Sequence, residues 1–259
     1  NYMVPSYKES FSSTKKHDYC VVVFVINEGE KLVNQLRRMS VAMLCVDIVI
    51  SDGGSNDGST DINLLKSLGV NTLLVKKDIG KLGSQMRIAF SWALEKGYKG
   101  VVVIDGNNKD SVESINHFVD KLVLGYDHVQ GSRFIPGGKA VNTPISRLLG
   151  LKFLHVPIIR LACGFSYTDT TNGFRAYSSK LLLANDMAVF RDVFTSYELH
   201  YYLAVESVRN GYKCIEIPVT RTYPKGKVPT KITPIKGNLI IISTLFKVLF
   251  GYFDQNKDK

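Results

Sequence analysis

The sequence is short of the features that mark several large classes of protein. Its four cysteines, Cys20, Cys45, Cys163 and Cys214, are scattered with no C-x-x-C pair, so neither a zinc site nor a disulfide framework is indicated and a reducing compartment fits best. No G-x-G-x-x-G opens the chain, which argues against a dinucleotide-dependent dehydrogenase. The first 18 residues are polar and mixed, without the apolar centre of a secretion signal. The longest apolar tract, Leu239–Phe253, carries Lys247 and is shorter than the ~20 residues of a spanning helix. Internal repeats and Gly/Ser-rich linkers are missing, so the chain reads as one continuous domain. The histidines, His17, His117, His128, His155 and His200, have no metal-ligand spacing.

What is there suffices for a folded core. Of 259 residues, 45% are hydrophobic and 22% charged, too apolar for a disordered chain. The net charge of +10 calls for an anionic partner: phosphates of a small molecule, a lipid surface or nucleic acid. Nucleic acid ranks last, because aromatic and basic residues do not interleave as a single-strand platform requires.

Strand-like apolar runs occur at Tyr19–Ile26, Val46–Ile50, Thr72–Val75, Gly100–Ile104 and His128–Gln130. Helical patterns fill most of the gaps, at Glu30–Leu44, Asp57–Leu68, Lys81–Lys96 and Val112–Leu124, with a later helix at Ser196–Asn210 and a strand at Tyr212–Thr220. This alternation predicts an α/β fold with a mostly parallel sheet flanked by helices, where ligands sit at the carboxyl ends of the strands. Polar loops follow three of those runs: Asn27-Glu28-Gly29, the segment Asp52 to Ser59, and Asp105 to Asp110. Each alone is better read as turn and helix-cap chemistry.

Taken in order, D-x-G-S-x-D-G-S at Asp52 to Ser59, G-K-x-G then R-x-A-F at Gly80 to Phe90, D-x-x-x-x-D-x-x-E at Asp105 to Glu113, G-S-R at Gly131 to Arg133 and N-G-F-R-A-Y at Asn172 to Tyr177 resemble family 2 glycosyltransferases of the GT-A (Rossmann-like) fold. The likeness is greatest to the dolichol-phosphate mannosyltransferase-like branch, which glycosylates polyprenyl phosphates. It spans about Tyr19 to Lys231, dividing the chain into an N-terminal extension (1–18), the GT-A domain (19–235) and an apolar C-terminal helix with a polar tail (236–259).

The resemblance implies an inverting transfer from a nucleoside diphosphate sugar to a polyprenyl phosphate or a related membrane-linked acceptor. The same fold also glycosylates saccharide or natural-product hydroxyls, and a non-catalytic nucleotide-sugar or anionic-lipid binding module is the alternative of another class. Donor binding falls to Asn27, Glu28, Asp52, Gly80, Lys81, Asp105 and Lys109, and to Lys225, Lys227 and Lys231 of a basic loop that closes over the diphosphate. Asp105 and Asn107 match the family's D-x-D, which holds Mg²⁺ or Mn²⁺. Asn107 removes one of the two negative charges, and the Lys109 ammonium either repels a metal or takes over its charge role. Arg133 and Arg147 match the arginines that hold an acceptor phosphate, with Arg175 beside them; guanidinium forks suit phosphate geometry.

Asp105, Arg133, Arg147 and Glu198 form the expected catalytic set, with Glu198 or Asp169 as base if the acceptor is a hydroxyl. The family's E-D pair is replaced by Thr195-Ser196-Tyr197-Glu198, which favours a phosphate acceptor, since an ionised phosphate needs no base. The apolar tail, 239–253, reads as a core helix, a dimer contact or an interfacial helix. The expected location is cytoplasmic, at most peripheral on the inner face of a membrane, and no feature of the sequence specifies an oligomeric state.

Overall fold

In the computed structural model, which describes residues 3–226 and 234–254 and only the backbone of 234–237, the elements alternate as the periodicity requires. They run β1 (Tyr7–Ser12), β2 (Tyr19–Val25), α1 (Glu30–Val41), β3 (Asp47–Asp52), α2 (Ile62–Ser67), β4 (Thr72–Lys76), α3 (Leu82–Glu95), β5 (Gly100–Asp105), α4 (Ile115–Val123) and β6 (His128–Ser132). The second half adds β7 (Lys139–Val141), α5 (Ile145–Gly150), α6 (Val156–Cys163), β8 (Arg175–Ser178), α7 (Ser179–Leu183), α8 (Glu198–Arg209), β9 (Cys214–Pro218), β10 (Thr220–Thr222) and α9 (Pro234–Leu249).

Eight strands form one sheet in the order β1-β4-β3-β2-β5-β8-β6-β9, with β7 and β10 in a separate parallel ribbon. The run β4-β3-β2-β5 is parallel, and β8 is antiparallel to both β5 and β6. Along β2, Cys20, Val22 and Phe24 enter one apolar core while Val21, Val23 and Val25 enter the other. Burial on both faces is why these strands read as continuous apolar runs rather than alternating ones. Helices α3, α6, α8 and α9 cover the first face, and α1, α2 and α4 the second.

Several boundaries depart from the expectations. Residues 7–12, assigned to an N-terminal extension, form the edge strand β1, antiparallel to β4 with a bulge between Glu9 and Phe11; their polar composition fits an edge. The expected helix from Asp57 starts at Ile62, capped by the Asp61 side chain on the Leu64 amide, because Asp57 is engaged elsewhere. The strand expected over Tyr212–Thr220 breaks after Pro218, which has no N–H for a ladder, so β9 joins the main sheet and β10 the ribbon.

Residues 145–163, where the apolar pattern predicts no element, form one helical stretch in which α5 and α6 are joined by a π turn at Leu151–His155. Pro157, just past that turn, cannot donate into the α-helical ladder, and a widened turn accommodates it. Helix α9 packs on α6 and α8, burying Leu245 and Val248 and leaving Leu239, Ile240 and Phe246 exposed; just after it Phe253 is buried and Phe250 exposed. Among the described residues no helix is long and apolar enough to cross a membrane.

Close approach explains the glycine of the G-S-R motif. A Cβ on Gly131 would lie 2.7 Å from the Phe174 carbonyl oxygen and 3.2 Å from the Phe118 ring, and the Phe118 and Phe174 rings pack tilted with centroids 4.4 Å apart. Gly131→Ala should therefore lose about 2 kcal/mol of unfolding free energy through overpacking, measured by denaturant titration; an unchanged midpoint would refute this account of the motif.

Candidate functional site

The carboxyl ends of β2, β3 and β5 meet on one rim, and the loops there hold one another by side-chain bonds. Asn27, at φ +49°, accepts the Asn56 amide on Oδ1 at 2.9 Å, while its own amide donates to Ser55 Oγ at 2.9 Å. Asp57 accepts the Gly29 amide. Asp52 is only 2% exposed, and its Oδ1 accepts from the Gly54 and Ser55 amides and from Ser55 Oγ at 2.7 Å. The Asp52 carboxylate, expected to bond a base or ribose, thus shapes its own loop through Oδ1, with Oδ2 at 3.3 Å from Thr60 Oγ1; beside it Asn27 is exposed and Glu28 half-buried.

At the end of β5, Asp105 keeps 36% of its side chain exposed. Gly106 lets the chain turn there, since a Cβ would lie 2.6 Å from Val25 Cγ1. Helix α1 grips the next residues: Gln35 accepts the Asn108 amide, and Arg38 donates to Asn108 Oδ1 at 2.9 Å and to the Asp110 carbonyl at 3.0 Å. Asp110, expected to cap the following helix, is instead buried in an ion pair with Arg221 at 2.8 Å. Arg221 also comes within 4.0 Å of Asp105.

The chain beyond Arg221 brings in Tyr223, a 4% exposed residue that the motifs do not single out. Its ring has the Lys109 ammonium at 4.6 Å and the Arg147 and Arg221 guanidinium groups at 5.3 and 5.5 Å. Arg147 Nη1 donates to its hydroxyl at 2.9 Å. Asp105 and Lys109, expected to bind the donor, and Arg147, expected to bind the acceptor, are thereby brought into one cluster with Arg221. Tyr197 borders it: its hydroxyl pKa is raised by burial first and by the Asp105 charge second. In sequence, the only pointer to Tyr223 and Arg221 is their place at the mouth of the basic loop.

Electrostatics follow from this crowding. Burial raises the Asp105 pKa, with Asp110 and Glu28 adding to it and Arg221 and Lys109 opposing it. Burial and then the Arg221 charge lower that of Lys109. The Tyr223 hydroxyl, pushed up by burial, ends below its ordinary value because Arg221 and Arg147 outweigh that push.

Other expected residues fall outside the cluster. Arg175 is 1% exposed and donates to the carbonyls of Asn172, His200 and Thr170, so its acceptor-binding assignment is corrected to a backbone anchor. Arg133 forms a buried bidentate pair with Asp169, at 2.8 and 3.1 Å, which engages two of its three guanidinium nitrogens and balances the charge offered to an acceptor. That pairing also removes Asp169 as a base. Glu198 is corrected likewise: its carboxylate accepts the Thr195 and Ser196 amides, capping the entry to α8.

Gly80, at φ +120°, leads into Lys81, which is exposed at the start of α3 and whose amide bonds the Thr195 carbonyl at 2.9 Å. Lys225 is exposed, while Lys227 and Lys231 lie outside the described residues.

Among the described residues no group of three or more His, Cys, Asp or Glu could hold a metal ion. The expected pair fits a weaker arrangement. Asp105 supplies a carboxylate, and Asn107 Oδ1 is buried without a hydrogen-bond partner, an available oxygen where the resemblance places the second ligand. Mg²⁺ commonly takes one or two protein oxygens and completes its shell from phosphates and water.

Two outcomes test the electrostatics. Arg221→Ala leaves Asp110 buried and unpaired, which should cost about 3 kcal/mol in denaturant unfolding; a loss below about 1 kcal/mol would show the pair to be dispensable. Because folding raises the Asp105 pKa, its contribution to stability is complete below the ordinary aspartate range and is lost as pH rises through the raised value. Asp105→Asn should accordingly melt above the wild type near pH 7, with the gap closing at about pH 3; a variant that melts lower near neutrality would reverse this assignment.

No family model matches the chain. The undecaprenyl-phosphate mannosyltransferase of Micrococcus luteus is 30% identical over 202 residues, covering 77% of this chain and 81% of that protein. The polyprenol monophosphomannose synthase of Mycolicibacterium smegmatis is 29% identical over 206 residues, covering 78% and 76%. The dolichyl-phosphate hexose transferase of Haloferax volcanii is 28% identical over 237 residues, covering 89% and 93%. In three dimensions the chain is similar to glucosyl-3-phosphoglycerate synthase of Mycobacterium tuberculosis, solved with phosphoglyceric acid (TM-score 0.62, 15% identity, 90% of this chain and 80% of that one). The same enzyme solved with Mn²⁺, uridine-diphosphate-glucose and phosphoglyceric acid gives a TM-score of 0.60 at 15% identity, with 90% and 79% covered; at such identity the likeness is one of fold. With this fold, the ordered strand-end motifs and relatives matching across most of its length, the chain belongs to the family 2 glycosyltransferases, in the polyprenyl-phosphate glycosyltransferase branch.

Proposed function

We propose that this protein moves a hexose, with inversion, from a nucleoside diphosphate sugar to a polyprenyl phosphate. The observation that carries this reading is the gathering of Lys109, Arg147 and Arg221 around Tyr223, beside Asp105 at the end of β5. Such a site suits two anionic groups at once, a leaving diphosphate and an attacking phosphate.

In the proposed reaction an acceptor phosphate oxygen bonds to the anomeric carbon as the bond to the diphosphate breaks, and the electron pair leaves on the diphosphate oxygen. Asn27 and Glu28 face the nucleoside, and Lys81 stands at the start of α3. Lys109 and Arg221 offset the charge that grows on the departing group. The exposed Lys225 adds to the basic surface offered to the diphosphate. Arg147 holds the acceptor phosphate; Arg133, tied to Asp169, positions the loop that begins beside it. Asp105 and Asn107 would hold Mg²⁺ or Mn²⁺, which supplies further positive charge against the diphosphate.

A phosphate acceptor is favoured over a hydroxyl because both candidate bases are engaged: Glu198 accepts backbone amides and Asp169 pairs with Arg133. An acceptor phosphate is ionised near neutral pH and attacks without a base. Its lipid tail would find apolar side chains near the arginine. Ile145, Leu149 and Phe153 are 74%, 51% and 76% exposed on the stretch that carries Arg147, and Leu239, Ile240 and Phe250 are exposed on or just after α9. These surfaces suit a peripheral contact with the membrane that contains the acceptor.

The test pairs binding with turnover. Thermal melting with uridine and guanosine diphosphates and their sugars should show a nucleotide-specific rise that is greater with Mg²⁺ or Mn²⁺ than with chelator, and the matching sugar should pass to a prenyl phosphate. Asp105→Ala should cut that transfer by about 10³-fold. Binding without transfer to any prenyl phosphate would favour a non-catalytic module, and transfer undiminished in Asp105→Ala would remove the donor-site assignment.

A further inference from the structure

Three cations that repel one another meet at Tyr223, and they come from three separate parts of the chain. Lys109 lies on the loop after β5, Arg147 on α5 and Arg221 on β10. A ring face attracts cations through its quadrupole, by an amount that grows as water is excluded, and Tyr223 is almost fully buried. Its backbone is fixed as well: its amide donates to the Val141 carbonyl at 3.0 Å, and its carbonyl accepts Asn142 Nδ2 at 3.1 Å. The ring is therefore a rigid post, while Arg147 is an exposed side chain on a helix surface with many rotamers to choose from. The bond from Arg147 Nη1 to the Tyr223 hydroxyl, at 2.9 Å, selects the rotamer that brings the guanidinium beside Lys109 and Arg221.

Resting on the proposed reaction, we infer that Tyr223 is a positioning residue that joins the donor and acceptor halves of the site: its hydroxyl aims Arg147 at the acceptor phosphate, and its ring holds Lys109 and Arg221 on the donor diphosphate side. The two parts of one side chain thereby have separable effects. Loss of the hydroxyl frees the exposed Arg147, while Arg221 stays held by its ion pair with Asp110; loss of the ring also removes the face that Lys109 and Arg221 share.

Steady-state kinetics of Tyr223→Phe, Tyr223→Leu, Arg147→Ala and the Phe/Ala double variant, with a short-chain prenyl phosphate as acceptor, read these parts directly. Tyr223→Phe should raise acceptor KM about tenfold, the order expected for losing a bond to a charged group, with kcat and donor KM within about twofold of wild type. Tyr223→Leu should raise donor KM as well. Since the hydroxyl acts through Arg147, adding Tyr223→Phe to Arg147→Ala should change acceptor KM by less than about twofold, the non-additivity of a coupled pair.

A wild-type acceptor KM in Tyr223→Phe, or effects of the two single variants that multiply, would overturn the inference while leaving the proposed reaction in place. Wild-type protein that transfers no sugar to a prenyl phosphate would overturn the reaction and the inference with it. Should Tyr223→Leu fail to fold, Tyr223→Phe, which keeps the ring and its packing, still decides the hydroxyl's role.

Discussion

The ion pair between Asp110 and Arg221, 111 residues apart in sequence and 2.8 Å apart in space, is the constraint on which the rest of the site depends. It closes the loop after β5 against β10, and backbone bonds from Ser111 to Thr220 and from Thr222 to Lys109 flank it. With that closure Arg221 comes near Asp105, Lys109 comes under the Tyr223 ring, and Tyr223 reaches Arg147. A buried pair of this kind adds little net stability compared with apolar residues of the same shape. What it contributes here is direction: a guanidinium fixed by one carboxylate, with its other edge toward a second.

The site is held short of electrical balance. Asp110 and Asp105 both face Arg221, while Lys109 and Arg147 gather with it around a single aromatic ring. The lowered pKa of Lys109, from burial and then from Arg221, is the signature of a charge placed where it is not fully compensated. In the proposed reaction an arriving diphosphate or phosphate would meet groups already gathered, so little reorganisation would be needed when charge develops on the leaving oxygen. The chain's excess of basic residues thus has a local meaning at this rim.

The other arginines show how the same side chain serves opposite ends. Arg175 donates to three carbonyls and anchors the turn that sets Gly173 against Asp105, where an added methyl would lie 3.5 Å from Oδ2. Arg133 is neutralised by Asp169, which is itself placed by Glu216 through the Thr168 and Asp169 amides. Of the three arginines expected to bind the acceptor, Arg147 is the exposed one, on a helix interrupted by a π turn. Its neighbours Ile145 and Leu149 are exposed as well, so positive charge and apolar surface share one helical stretch.

By itself the sequence determined the α/β alternation, the convergence of the Asn27, Asp52 and Asp105 loops, and the family. Strand and helix periods and the dihedral needs of Gly, Asn and Asp are local properties, readable within a few residues. The edge strand β1 escaped because its alternation is mostly polar, and the 145–163 helix because Pro157 interrupts its pattern. Tertiary structure alone decided which charged groups are engaged and which are offered: Asp52 turned onto its own loop, Glu198 onto two amides, Arg175 onto three carbonyls, and Tyr223 into the centre of the cations. Availability of a charge depends on which distant segment approaches it, and that approach is set by packing of the whole sheet rather than by neighbours in the chain.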